Sequence, residues 1–261
     1  MYNRLIWYIN ENNILYNFQF GFREKHSAAL ALITLVDKIS SALESGEFAI
    51  GLFLDFSKAF DTINYDILFM KMHHYGIRGC TLNWFKSYLS NRKQYVSYHN
   101  VCSSLKPIIC GVPQGSILGP LLFLIYVNDI AFVSQSLFTV MFADDTNAII
   151  THKNLSTLEE QCNSEMKKIS NWVNANKLSL NVKKTQYMLF KGRKKIGSGP
   201  NIIVNGAKID RTDQSKFLGV IISDNLSWQP HIDYISKKIS KSIGILYRLS
   251  KLVDKSTLMS L

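Results

Sequence analysis

The sequence is poor in cysteine, has no internal repeat and contains no long apolar run, and each lack narrows what it can be. Cys80, Cys102, Cys110 and Cys162 stand far apart, matching neither a C-x-x-C metal or redox pair nor a small disulfide scaffold. They read as buried or idle thiols in a reducing compartment. The longest apolar stretch, 117–127, is too short to span a bilayer, and the opening residues MYNRLIWYINENN hold no apolar run bounded by a small-residue cleavage site. A soluble intracellular protein with no membrane partner is expected. Low-complexity tracts are missing too. With 47% hydrophobic residues over 261 positions, disorder is excluded, and one large domain or two closely packed ones can be built.

Acidic residues are scarce in one region only. Residues 1–180 hold 15 Lys and Arg against 14 Asp and Glu, whereas residues 181–261 hold 15 against 5, so nearly all of the net charge of +11 lies in the last third. A basic region of this kind meets phosphates or an anionic membrane, and the plain alternative is a solvated lysine-rich face.

Apolar periodicity sets the coarse architecture. Leu30, Ile33, Leu35, Val36, Ile39 and Leu43 recur at helical spacing until Gly46. FAIGLFLDF at 48–56 reads as a buried central strand that ends on a carboxylate. Residues 65–75 and 82–89 read as helices, with Trp84, Phe85 and Tyr88 of the second expected in the core, the alternative being a surface aromatic that stacks on a base. Strands at 94–98 and 104–109 feed the loop GVPQGS, and 118–132 reads as a core helix. FTVMFADDTNAII is a hairpin with two aspartates at its tip. A long amphipathic helix over 155–173 precedes strands at 186–190, 201–204 and 216–222, with Asn205-Gly206 a hairpin turn. A stripe of Ile232, Ile235, Ile239, Ile243, Leu246 and Leu249 set between lysines marks the last helix.

Asp55 and the pair Asp144 and Asp145 all lie at the ends of apolar strands, 89 residues apart in the chain. Carboxylates so placed repel each other strongly unless a cation joins them. Hard oxygen ligands suit magnesium, which keeps several waters and leaves room for substrate phosphates. Two such ions stabilise the attacking and leaving oxygens of an in-line phosphoryl displacement. Adjacent aspartates in a turn are by themselves most often solvated turn residues. The apolar flanks and the second acidic strand end favour the metal reading.

Three blocks in order, FLDFSKAFDTI at 53–63, GVPQGSILGPLLF at 111–123 and FADDT at 142–146, resemble motifs A, B and C of reverse transcriptases. QFGFREKHSA at 19, LSLNVKKTQYMLF at 178 and FLGV at 217 agree with further blocks, and the wording is most similar to the non-LTR, LINE-type retrotransposon enzymes. The resemblance implies an α/β right-hand polymerase: partial fingers over 1–47, a palm with an antiparallel sheet over 48–225, and the start of a thumb over 226–261. It implies an RNA-directed DNA polymerase that adds deoxynucleoside triphosphates to a DNA primer on an RNA template, with two magnesium ions (or manganese), acting in the nucleus beside retrotransposon domains absent from this chain. Asp55, Asp144, Asp145 and the Phe56 carbonyl become the metal ligands, and Lys184 a proton donor to pyrophosphate. Arg23, Lys25, Phe60, Pro113, Gln114 and Gly115 become nucleotide contacts, with Phe60 the steric gate against ribonucleotides. Lys237, Lys238 and Lys241 track the duplex backbone. Asp61, from the AFD of motif A, is expected in a cap or salt bridge rather than in catalysis. A decayed or maturase-like relative that binds nucleic acid without catalysis would carry the same blocks. Three intact aspartates weigh against it.

Overall fold

The computed structural model describes residues 1–99, 101–192, 194, 199–254 and 256–257. It divides into two compact units, Met1–Arg211 and Thr212–Leu261.

The first unit opens on helix α1 (Tyr2–Glu11), which the sequence does not announce because only Leu5 and Ile9 form its buried face. Helix α2 (Ala28–Glu44) starts at Ser27, whose hydroxyl accepts the Leu30 N–H at 3.2 Å, and buries Ala31, Leu35, Ile39 and Ala42. Strand β1 (Phe48–Leu54) is buried at five of its seven residues, as its apolar run requires. Helices α3 (Tyr65–His74) and α4 (Gly79–Leu89) follow, α3 capped by the Asn64 carboxamide. On α4 the aromatic residues divide: Phe85 is buried, but Trp84 turns outward, so the expectation of a common core place fails for it.

The two strands expected around 94–109 are instead four very short ones, β2 (Lys93–Gln94), β3 (Ser97–Tyr98), β4 (Val101–Cys102) and β5 (Lys106–Pro107). They fold back on each other, β2 on β5 and β3 on β4, as a narrow ribbon. Helix α5 (Leu118–Val127) is buried at nine of its ten residues and passes into a 3-10 turn, Asn128–Phe132, earlier than its apolar run suggests. There the buried Asn128 carboxamide accepts the Tyr16 N–H at 2.7 Å and donates to the Ile14 carbonyl and the Tyr75 hydroxyl, so it bonds outside its own helix.

Strands β6 (Phe138–Phe142) and β7 (Asp145–His152), helix α6 (Leu155–Ala175) and strand β8 (Gln186–Phe190) complete the main framework. Strands β9 (Ile203–Val204) and β10 (Ala207–Lys208) form the expected hairpin across Asn205 and Gly206, both left-handed, and β11 (Asp210–Arg211) follows. The five-stranded sheet runs β11-β8-β1-β7-β6, antiparallel throughout except for the parallel pair β11 and β8. Helices α2 and α6 both pack on it, and α5 packs on α3.

In the second unit the single strand expected at 216–222 is a hairpin, β12 (Gln214–Phe217) and β13 (Val220–Ser223), because Leu218 and Gly219 turn through positive φ. Helix α7 (Gln229–Leu249) packs on β13 yet buries none of its own residues, leaving its isoleucine stripe in solvent. Among the described residues no helix is long and apolar enough to cross a membrane. All four cysteines are free; Cys162 alone is buried, and burial pushes its thiol up to about 12, whereas Cys80 and Cys102 are exposed.

One buried cation ties α3 to the turn after α5. Lys71 Nζ donates to the Tyr126 carbonyl at 2.5 Å and to Asp129 Oδ1 at 2.6 Å, and lies over the rings of Tyr126 and Trp172. Burial lowers its pKa more than Asp129 raises it. Lys71→Ala leaves a carbonyl and a carboxylate without their partner and should destabilise the protein by about 3 kcal/mol in urea unfolding. Lys71→Met, which keeps the packing volume, should lose clearly less.

Candidate active site

The sheet register assembles the acidic centre. Strand β1 pairs with β7 through Leu54 opposite Thr146, and the same register carried one step further sets Asp55 opposite Asp145. Phe142 pairs with Asp145 across the β6–β7 turn, which leaves Ala143 and Asp144 at the tip. Asp144 and Asp145 are exposed and Asp55 is half-buried. Desolvation of its partly enclosed carboxyl raises the pKa of Asp145, and the like charges of Asp144 and Asp55 add to the shift. Sequence spacing 89 residues wide thus becomes one electrostatic site.

Two supports hold this centre in place; both fall in or beside sequence blocks that resemble the family, but their bracing role was not read from the sequence. The first is the stretch 18–21 beside β6, where Met141 donates to the Phe18 carbonyl and Phe20 donates back to Met141. From it the buried Gln19 carboxamide oxygen accepts the Gly21 N–H at 2.9 Å and the Ala143 N–H at 3.1 Å, fixing a turn whose Ala143 has φ of +58°. Gly21 is required there, because a Cβ would stand 2.3 Å from the Ala143 nitrogen. The second support is the stretch 178–185. Asn181 N–H donates to the Asp55 carbonyl and Ser57 N–H to the Ser179 carbonyl, each at 2.8 Å, while the buried Thr185 hydroxyl accepts the Asp55 N–H at 3.4 Å. The Phe56 carbonyl takes no part in this pair of bonds. Lys184 is exposed, next to Thr185.

Motifs A and B are stitched together as well. Val112 N–H donates to the Phe60 carbonyl at 2.9 Å and Gly111 N–H to the Ile63 carbonyl at 2.8 Å. Gly111 has φ of +82°, and a Cβ on it would lie 2.7 Å from the Asp61 carbonyl oxygen. Asp61 accepts the Gln114 amide at 2.8 Å, so its partner is neutral rather than a salt bridge. The Phe60 ring stacks on the buried Phe123 at 4.2 Å and meets the edge of the exposed Phe22 at 6.4 Å. Pro113 is half-buried and Gly115 exposed. A groove of about 690 Å³ runs along this seam, lined by Lys58, Tyr65, Arg92, Gln94 and residues 107–114 among others.

The remaining predicted contacts are a partly engaged arginine and four exposed lysines. Arg23 Nη1 donates to the carbonyls of Tyr16 and Gln19, and partial burial lowers its pKa. Lys25 is exposed with φ of +60°. Lys237, Lys238 and Lys241 are exposed on α7 in the second unit.

An antiparallel sheet that presents carboxylates from two strand ends, with a helical crossover between them, is the palm of a right-hand nucleic-acid polymerase. The chain belongs to the reverse transcriptase (RNA-dependent DNA polymerase) family, which matches residues 1–222. It is 30% identical over 270 residues to the RNA-directed DNA polymerase from mobile element jockey of Drosophila melanogaster, an alignment covering 99% of this chain and 28% of that protein. To the Pol polyprotein from type-1 retrotransposable element R1 of Bradysia coprophila it is 28% identical over 208 residues, covering 78% of this chain and 20% of that one. The chain therefore spans about 28% of the jockey polymerase and less of the R1 polyprotein. Among solved structures, apo telomerase from Candida tropicalis superposes with a TM-score of 0.57 at 12% identity, over 86% of this chain and 39% of that one. This likeness concerns the fold, and it bears out the expected right-hand architecture.

Because its folded pKa is raised, Asp145 contributes stability that is fully present below its unfolded value of 3.8 and is lost as pH rises through the folded value. Asp145→Asn removes that loss. The stability difference between the variant and the parent, from urea unfolding without divalent cations, should move in the variant's favour across that window. A difference that stays flat with pH would refute the electrostatic link among the three aspartates.

Proposed function

We propose that the chain is the palm-centred part of an RNA-directed DNA polymerase of a non-LTR retrotransposon, adding deoxynucleotides to a primer 3′-hydroxyl on an RNA template. The observation that carries this reading is the convergence of Asp55, Asp144 and Asp145 at one sheet end, where their mutual repulsion calls for cations. The donor set fits magnesium or manganese: all oxygen, open to solvent and anionic. Among the described residues no three His, Cys, Asp or Glu side chains form a metal site by themselves, so ions bound here would need further oxygens from water and substrate phosphates. Bound there, the ions supply positive charge to the attacking and leaving oxygens of the phosphoryl transfer.

The protein's own groups do the positioning. Asp55 and Asp144 are the principal ligands, Asp145 the weaker one, and the Phe56 carbonyl, unused by the Leu180 side of its bridge, a further oxygen. Thr185 and Asn181 hold the Asp55 backbone, and the exposed Lys184, next to Thr185 in the chain, is assigned as a proton donor to pyrophosphate. Lys25 and Arg23 are assigned to the triphosphate, Arg23 through the part of its guanidinium not bonded to Tyr16 and Gln19. Pro113, Gln114 and Gly115 support the nucleotide, with Gln114 oriented by Asp61. In this reading 1–47 belongs to the fingers, 48–225 to the palm and 226–261 to the thumb, whose Lys237, Lys238 and Lys241 meet duplex phosphates without reading sequence. Action in the nucleus follows from the retrotransposon reading.

Primer extension on matched RNA and DNA templates tests the reaction and separates it from binding alone. Asp55→Asn or Asp144→Asn should lower kcat by about three orders of magnitude while the fold survives, and Asp145→Asn should lower it less. Extension at near-parental rate in either of the first two variants rejects the metal assignment.

Phe60, whose ring packs between Phe22 and Phe123, is assigned by the family reading to exclude a ribose 2′-hydroxyl. Phe60→Ala should reduce the preference for deoxy- over ribonucleotides, measured as the ratio of kcat/KM, by about tenfold or more. Losing a packed ring can cost about 3 to 5 kcal/mol, so melting must show that the variant is folded. A folded variant that rejects ribonucleotides as the parent does would make Phe60 a packing residue only.

A further inference from the structure

From Ile67 to Asn128 the sequence holds six Lys and Arg and not one Asp or Glu. This 62-residue stretch contains most of α3, all of α4, the ribbon 93–107 and the motif B loop, and none of the functions assigned above uses the outer surface of α4 or the ribbon. That surface carries stacked aromatic rings. Trp84 and Tyr88, one turn apart on α4, lie 5.4 Å apart with planes 7° from parallel. The Arg92 guanidinium continues the stack 5.6 Å from the Tyr88 ring. Beyond it the ribbon exposes Tyr95 and Tyr98, at 57% and 73%, between Lys93 and Lys106. Described residues from 93 to 107 are all exposed, so these rings hold no core together.

Tyr95 and Tyr98 lie outside the buried core and Trp84 keeps an exposed face, and a stretch without acidic residues favours an anionic partner. Parallel, flat, cation-ended stacks suit bases followed by phosphates. The stack also leads somewhere: Arg92 is in the wall of the groove that runs to Gly111 and Gln114. We propose that the outer face of α4 and the ribbon 93–107 bind single-stranded RNA, the unpaired template ahead of the point of synthesis, by stacking its bases on Trp84 and Tyr98. This rests on the polymerase reading for the identity of the strand, but not for the binding itself. Base contacts of this type tolerate any sequence, as an enzyme copying a long template requires.

The test pairs Trp84→Ala/Tyr98→Ala with Trp84→Phe/Tyr98→Phe in the 261-residue chain, with melting curves as a folding control. Anisotropy with a short unstructured labelled RNA should show the alanine variant about tenfold weaker and the phenylalanine variant close to the parent. Arg92→Ala should lower the slope of affinity against salt, which the alanine pair should leave unchanged. In primer extension, KM for a template with an overhang of about ten nucleotides should rise, while a template offering a single unpaired base should be used as by the parent. Three results would overturn the proposal: RNA affinity changing less than twofold, equal weakening toward duplex and single strands, or a change in self-association in place of RNA binding. If single-stranded DNA responds and RNA does not, the template assignment falls as well. A parent chain that binds RNA through this face but extends no primer supports the surface and rejects the polymerase reading, so the two failures are distinguishable.

Discussion

The repulsion among three carboxylates at one sheet end is the constraint from which the rest of the fold can be understood. Strands β1 and β7 pair in the one register that sets Asp55 across from Asp145, and a slip of one residue would turn every side chain of the strand to the other face. The buried residues of FAIGLFL and of β7 fix that register through the core. Hydrophobic burial thus holds together a charge arrangement that opposes folding in the absence of a cation. Sites that bind strongly charged substrates are commonly built this way, with strain at the site and stability in the core.

The bracing around the aspartates follows from the same constraint. A turn with a non-glycine residue at positive φ is not self-supporting. Gln19 and Gly21 hold it from a stretch 120 residues earlier in the chain, and Asn181 and Thr185 hold Asp55 from 126 and 130 residues later. Such long-range backbone contacts make the centre rigid only once the whole first unit has formed. Formation of the site is therefore coupled to folding of the domain.

Much of this was legible in the sequence because the relevant signals are local. Apolar runs ending in aspartate, the Asn205-Gly206 turn and the stripes of α2 and α6 each follow from residue order, and the elements built on them stand within a few residues of expectation. What escaped depends on contacts between distant segments. Nothing near Gln19 or Thr185 in sequence reveals the Ala143 or Asp55 amide that each meets, although the glycine in QFG hinted at a close approach. Trp84 was misplaced because α4 offers apolar residues on more than one side, and only packing chooses which enter the core. The strand at 216–222 hid a turn, since Leu218 is an unusual residue at positive φ.

The ribbon between α4 and motif B is closed at its base by the Ile108 N–H bonded to the Arg92 carbonyl, and the larger segment it belongs to is closed again by Gly111 on Ile63. Its described residues, 93–99 and 101–107, are all outside the buried core. Once a loop is pinned at both ends, lengthening it is cheap: each doubling costs only about 0.6 kcal/mol of closure entropy. Residues 93–107 therefore form an appendage whose length and sequence can drift with little effect on the palm. Related enzymes can acquire new attachments here by insertion, with the chemistry left in place beneath.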